Sequence, residues 1–204
     1  MSLVDLDFAP AEVDVEYFPN GSMILRSPQS LLAYERQVGN SLRRAAKQVP
    51  SQVFLAERNS KGAWIKITYA EAQKMTDSIS QSLLDRGMNQ SQPLMILSKN
   101  SIKHALMTLG AMQVGVPVVP VSVAYSMVSS DYAKLKHIFA LVRPGLVFVE
   151  NFEKFGKALA ALEAENLEVV STGKSDLFTS FEELTAAVAG PQVEGVFDSV
   201  GPET

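Results

Sequence analysis

Gly173-Lys174-Ser175 follows a predicted strand, which is where a nucleotide-binding phosphate loop would end. A complete loop wraps backbone amides around the phosphates and needs a glycine five residues before Gly173; Glu168 stands there, so the stretch reads as an ordinary turn. Ser98-Lys99-Asn100-Ser101 closes an apolar run, at the carboxyl end of a predicted strand, where ligands collect in parallel α/β sheets. Lys99 can meet an anionic cofactor there, while Asn100 or Ser101 can serve simply to cap the next helix. The polar loop Ser122 to Ser130, with Tyr125 in its middle, follows the next strand, and Ser129 or Ser130 offers the same capping alternative. Lys99 and Tyr125 are thus the candidate ligand-binding residues.

The remaining reactive side chains are poorly placed for chemistry. His104 and His137 are the only histidines, and each falls inside a predicted helix without a carboxylate or second histidine at ligand spacing. No Gly-x-Ser-x-Gly elbow marks a serine hydrolase. Glu182-Glu183 at a helix start complements the helix dipole better than it forms an acid/base pair. Met75, Met107 and Met112 fall on apolar faces and read as core filling. The chain has no cysteine, which excludes disulfides, thiolate metal sites and a thiol nucleophile.

The elements that must position these residues follow from hydrophobic period. Residues 13–26 read as two short strands around Pro19-Asn20-Gly21, because Asn-Gly supplies the positive backbone angles of a tight turn. A helix over 41–48 stops near Pro50, and Val53 to Arg58 pairs with Ala63 to Thr68 as a second hairpin anchored by Trp64 and Ile67. Thr68 and Glu71 have capping-box spacing, Ala72, Met75, Ile79 and Leu83 then share one helical face, and Gly87 stops the helix. Strands are predicted at Leu94 to Ser98, Val116 to Val121, Leu146 to Val149 and Glu168 to Ser171, with helices Ile102 to Val114, Tyr132 to Val142 and one from Phe152 to Leu162 between them. A last helix is predicted near Phe181 to Val188. Such alternation implies an α/β fold, a parallel sheet with flanking helices preceded by short β-hairpins. The expected organisation is a lead-in over 1–68, an α/β core over 69–189 and an extended tail over 190–204, the last because it holds two prolines, three glycines and no convincing period.

Composition excludes several classes. The 204 residues are 47% hydrophobic and 20% charged, within the ordinary globular range. A formal net charge of −4, with scattered lysines and arginines, gives no footprint for nucleic acid. No stretch approaches the ~20 apolar residues that span a bilayer, and Asp5 and Asp7 stand where a basic leader would begin. No membrane association and a cytoplasmic address are therefore expected.

Two stretches carry a family signature. Trp64-Ile-Lys-Ile-Thr-Tyr-Ala-Glu-Ala72 resembles the strand-to-helix segment of the adenylate-forming, AMP-binding superfamily, and Leu109-Gly-Ala-Met-Gln-Val-Gly-Val-Pro-Val-Val-Pro-Val-Ser122 resembles its helix-to-strand segment. Phe54 to Arg58, Ile96 to Ser101, Pro120 to Ser126 and Lys134 to Ile138 are similar to acyl-CoA synthetases of the feruloyl-CoA synthetase type, and Ser122 stands where many superfamily members carry an acidic residue. The likeness is good over 20–150 and loose over 150–204.

The resemblance implies a two-step reaction in which a carboxylate attacks the α-phosphate of ATP, and the thiol of CoA then displaces AMP from the acyl adenylate. It implies ATP, CoA and Mg2+ for an intact enzyme and an aromatic carboxylic acid such as ferulate as its substrate. The family's glycine-rich phosphate loop, ribose-binding aspartate and lid lysine have no counterpart in these 204 residues, so no catalytic residue is carried over. The loop is expected just beyond Gly201-Pro-Glu-Thr204. The expectation is an N-terminal portion of such a ligase, inactive alone, binding no cofactor tightly and able to self-associate through exposed apolar surface. A stand-alone binding or regulatory module derived from a ligase is the alternative, and a flavodoxin-like or response-regulator-like domain shares the alternation without an acidic cluster or flavin loop to support it.

Overall fold

A computed structural model describes residues 10–162, 167–173 and 175–204. Asp5, Asp7 and Lys174 lie outside them. The chain divides into two compact units, Met1–Tyr34 and Glu35–Thr204. The second hairpin and the first helix therefore belong with the α/β body.

In the first unit, β1 (Asp14–Tyr17) pairs antiparallel with β2 (Met23–Arg26), Val15 opposite Leu25 and Tyr17 opposite Met23. The turn is as expected, with Gly21 at φ +81°. Alternation sets Val15, Tyr17, Met23 and Leu25 on one face and Asp14, Glu16, Ile24 and Arg26 on the other, where Arg26 pairs with Glu16.

The second unit begins with α1 (Val38–Gln48), followed by the hairpin of β3 (Val53–Arg58) and β4 (Trp64–Thr68). Ile67 packs against the core, whereas Trp64 is exposed and pairs across the hairpin with Arg58, whose guanidinium covers its ring at 4.5 Å. α2 (Tyr69–Asp85) opens with the expected capping box: Thr68 Oγ1 accepts from the Glu71 amide and the Glu71 carboxylate from the Thr68 amide. It closes at Gly87, φ +72°, where the Gly87 and Met88 amides turn back to the Leu84 and Leu83 carbonyls.

The sheet follows, built from β5 (Leu94–Leu97), β6 (Val118–Pro120), β7 (Leu146–Val149), β8 (Glu168–Ser171) and β9 (Thr179–Ser180). All pairings are parallel and the spatial order is β6-β5-β7-β8-β9. β5 and β7 are buried at every position because both faces are covered. Leu94, Ile96, Leu146, Phe148 and Val170 face one core, with α2, α3 (Ile102–Met112) and α6 (Phe181–Ala186). Met95, Leu97, Val147 and Val149 face the other, with α4 (Ala133–Val142) and α5 (Phe152–Ala161). Helices change face between the β5–β6 and β6–β7 crossovers, so the chain reverses its direction of travel across the sheet between β5 and β7.

Two expectations are corrected, and one strand, β9, was not expected. Residues 190–204 are not an extended tail: Pro191–Ser199 form α7, whose Val193 and Phe197 are buried. Pro191 sits at the first helical position, where its missing N–H leaves no bond unmade, and Val193, Val196, Phe197 and Val200 keep helical spacing around the exposed Gly195. The two-residue β9 is too short to show a period. The loop after β6 winds into a π-helical turn, Ala124–Val128, and no serine caps α4; its N-cap is Tyr132, in the left-handed region, whose amide donates to Ser129 Oγ.

Candidate functional site

Reversal of strand order opens a crevice beyond the carboxyl ends of β5 and β7, because the loops leaving the two strands turn to opposite faces. Glu57, Lys99, Ser101, Lys103, Glu150, Asn151, Lys154 and Thr172 line this crevice of about 310 Å3 with Phe155. They come from β3, the β5–α3 and β7–α5 loops, the first turns of α3 and α5, and the end of β8.

Both carboxylates are engaged by backbone. Glu150 Oε2 accepts from the Lys99 amide at 3.0 Å, joining the ends of β5 and β7, and Glu57 Oε2 accepts from the Ile102 amide at 2.8 Å, filling an orphan donor of α3. Ser101 Oγ accepts from the His104 amide at 3.1 Å and Asn151 Oδ1 from the Lys154 amide at 2.9 Å, so the serine and the asparagine cap α3 and α5. Lys103 is held on the rim, its ammonium 2.8 Å from Glu182 Oε1 and over the Phe181 ring at 4.8 Å. Partial burial pushes the Glu182 carboxyl up, but the hydrogen bond and charge of Lys103, together with backbone N–H donors, outweigh that and leave it below the usual carboxylate range. Glu183 closes a capping box with Ser180. Among the described residues, Lys99 and Lys154 have no carboxylate within ion-pair distance.

With Lys103 paired to Glu182 and the two carboxylates oriented by backbone amides, Lys99 and Lys154 are the cations here without a carboxylate partner, and ammonium groups of that kind can meet an anion such as phosphate. They do not suit Mg2+, which asks for several converging oxygen ligands. Among the described residues no group of three or more His, Cys, Asp or Glu could hold a metal ion. No helix among them is long and apolar enough to cross a membrane.

Lys99 and Tyr125 both follow carboxyl ends of neighbouring strands, yet they are differently employed. Lys99 is exposed and lines the crevice. Tyr125 lies on the π-helical turn, packs against the second core and carries the Lys134 ammonium over its ring at 5.1 Å. Gly173, φ +94°, and Ser175, bridged to Phe178, form a turn, with Thr172 Oγ1 donating to the Glu150 carbonyl at 2.8 Å. Lys103, Lys154, Glu57 and Glu150 were not singled out by sequence reasoning. The only available signal was positional: each lies on a strand or within six residues of a strand's end.

A doubly wound sheet with cationic strand ends is the architecture of nucleotide- and acyl-activating enzymes among others. The match that decides the family covers residues 42–197: the chain belongs to the AMP-binding enzyme family. No curated protein matches it. Among solved structures its fold is similar to the luciferase-like enzyme from the nonluminescent Zophobas morio mealworm (19% identity, 78% of this chain and 36% of that one, TM-score 0.64). It is also similar to the acetoacetyl-CoA synthetase from Streptomyces lividans (19%, 76% and 26%, 0.64) and a benzoate CoA ligase from Burkholderia xenovorans LB400 (17%, 76% and 29%, 0.61). The chain spans 26% to 36% of the length of these proteins.

Proposed function

We propose that this chain is the N-terminal part of an ATP-dependent carboxylic acid:CoA ligase, and that the crevice at the ends of β5 and β7 receives a phosphate-bearing portion of its substrates. The observation that carries this reading is the convergence of Lys99, Lys103 and Lys154 on a switch point whose carboxylates are already bonded to backbone amides. The acid is an aromatic one of the hydroxycinnamate class, such as ferulate; the motifs around Ile96 to Ser101 and Pro120 to Ser126 support that choice, and the fold shared with a benzoate CoA ligase is in keeping with it. Tyr125, at the end of the neighbouring strand, is proposed for the acyl side.

In the reaction the family resemblance implies, these residues bind and orient; they supply no nucleophile and move no proton. Lys99 and Lys154 offset phosphate charge as point charges, and Lys103 is restrained by Glu182. Mg2+ chemistry, which the resemblance also implies, has no ligand set in this crevice and enters no step here.

The test is a titration of isotope-labelled protein with CoA, 3′-dephospho-CoA and inorganic pyrophosphate, followed by amide shifts. Weak, saturable shifts centred on Lys99, Asn151 and Lys154 are expected, reduced by salt and lost in the Lys99→Ala/Lys154→Ala double variant. Absence of shifts there, or the same shifts in the double variant, would sink the reading.

A further inference from the structure

The Lys99 backbone is held at both its N–H and its C=O. Its N–H donates to Glu150 Oε2, across the switch point, and its carbonyl accepts from the buried Ser98 hydroxyl. His104 completes the arrangement: its Nδ1 lies 3.2 Å from the same carbonyl and 3.1 Å from Ser98 Oγ.

The hydrogens around that nitrogen can be counted. Ser98 has one hydroxyl hydrogen, which goes to the Lys99 carbonyl, and the carbonyl has none to give. A bare Nδ1 would therefore set its lone pair against two oxygens with no hydrogen between. With the Ser98 hydrogen on the carbonyl, the network assigns a hydrogen to Nδ1, which donates it, and leaves Nε2 as the lone-pair nitrogen of the neutral ring. The ring stands on the first turn of α3, and it lines a second cavity of about 330 Å3 with Leu55, Glu57 and Ile102.

We infer that His104 is a positioning residue for Lys99: through Nδ1–H it fixes the Lys99 peptide and so aims the ammonium into the crevice. The inference rests on the reading that the crevice takes phosphate, and goes beyond it in assigning a role and a tautomer to His104. The physical gain is preorganisation. A lysine on a free loop must lose backbone and side-chain freedom at each binding event, whereas one whose N–H and C=O are both held has only its side chain left to order. Glu150 still holds the Lys99 N–H and Ser98 the Lys99 carbonyl, so removing the imidazole loosens the clamp without dismantling it.

Two variants separate positioning from packing. His104→Phe keeps a ring of similar size and removes the donor; His104→Asn places an amide N–H near the position of Nδ1. In pyrophosphate titrations of the 204-residue chain, His104→Phe is expected to weaken binding about two- to tenfold, the range for one lost hydrogen bond, and His104→Asn to restore it. Equal affinity of His104→Phe and the wild type, with Lys99→Ala binding weakly, would overturn the role of His104 alone. Unchanged binding by Lys99→Ala would overturn the underlying reading instead. Should His104→Phe fail to fold, nitrogen spectra of the wild-type ring still decide: a protonated Nδ1 with a bare Nε2 is expected, and the opposite tautomer rejects the inference.

Discussion

Arg86 caps the end of α2 and reaches the first residue of β8 at the same time. Its Nε donates to Glu168 at 2.9 and 3.0 Å, and Thr179 Oγ1 donates to the same carboxylate at 2.7 Å. Burial pushes the Glu168 carboxyl up, and the bonds from Arg86 and Thr179 more than reverse it, so its pKa is depressed in the folded protein. A depressed carboxylate stabilises the fold at pH values above its unfolded pKa of about 4.3, and that contribution fades as pH falls through the lower folded value. Arg86→Ala should therefore cost about 1 kcal/mol at pH 7, after discounting for the solvent exposure of the pair. Denaturant unfolding as a function of pH should show the gap between variant and wild type narrowing below about pH 4. A gap independent of pH would mean that the aliphatic stem of Arg86, not its charge, matters.

Where α2 and α3 cross, glycine sets how close they come. A Cβ on Gly110 would stand 2.6 Å from Ile79 Cγ2 and 3.2 Å from the Thr76 carbonyl. The same close approach lets Ser80 Oγ donate to the Gly110 carbonyl at 2.7 Å and Gln113 Nε2 reach Ser80 Oγ at 2.6 Å, all in buried surroundings. Gly110→Ala gains up to ~1 kcal/mol of helix propensity and loses about 1–3 kcal/mol to overpacking. Overpacking wins, and net destabilisation is expected in chemical denaturation. Gly195, in α7, has nothing within 4 Å of a built Cβ, so Gly195→Ala should stabilise the protein by up to ~1 kcal/mol. Opposite signs for two Gly→Ala changes, both inside helices, are what separates packing from propensity. α7 itself is tied to the body at its far end: Arg36 donates to the Phe197 and Val200 carbonyls, Gln37 to Phe197 at 2.8 Å, and the Arg43 guanidinium lies 3.5 Å from the Phe197 ring centre.

At the level of the whole molecule, the two units are unequal. The body holds both cores around a sheet whose central strands are buried on each face, whereas the first unit is a two-stranded hairpin with every strand residue exposed. An isolated hairpin of that size is marginal in water, so cooperativity must reside in residues 35–204. A chain lacking residues 1–34 is expected to retain a single thermal transition within about 4 °C of the full chain by calorimetry. Loss of that transition would show that the body depends on the first unit. The apolar face of Val15, Tyr17, Met23 and Leu25 is the surface through which the expected self-association would run, and sedimentation of the shortened chain should then show less of it.

Local pattern was sufficient wherever an element is long enough to express a period and its ends are chemically marked. The capping box at Thr68, the stop at Gly87 and the strands Leu146–Val149 and Glu168–Ser171 were legible for that reason. α7 was hidden because proline and glycine weigh against a helix unless their exact positions in it are known. The family, too, was written in short segments such as Leu109 to Ser122, since a helix-to-strand connection is local. The crevice was not, apart from Lys99. Lys103, Lys154, Glu57 and Glu150 are brought beside it only once β5 lies between β6 and β7, a pairing fixed by which faces the crossover helices bury. Strand neighbours depend on packing between distant segments, so the sequence determined the elements and the family, and the tertiary structure alone decided which charges would meet.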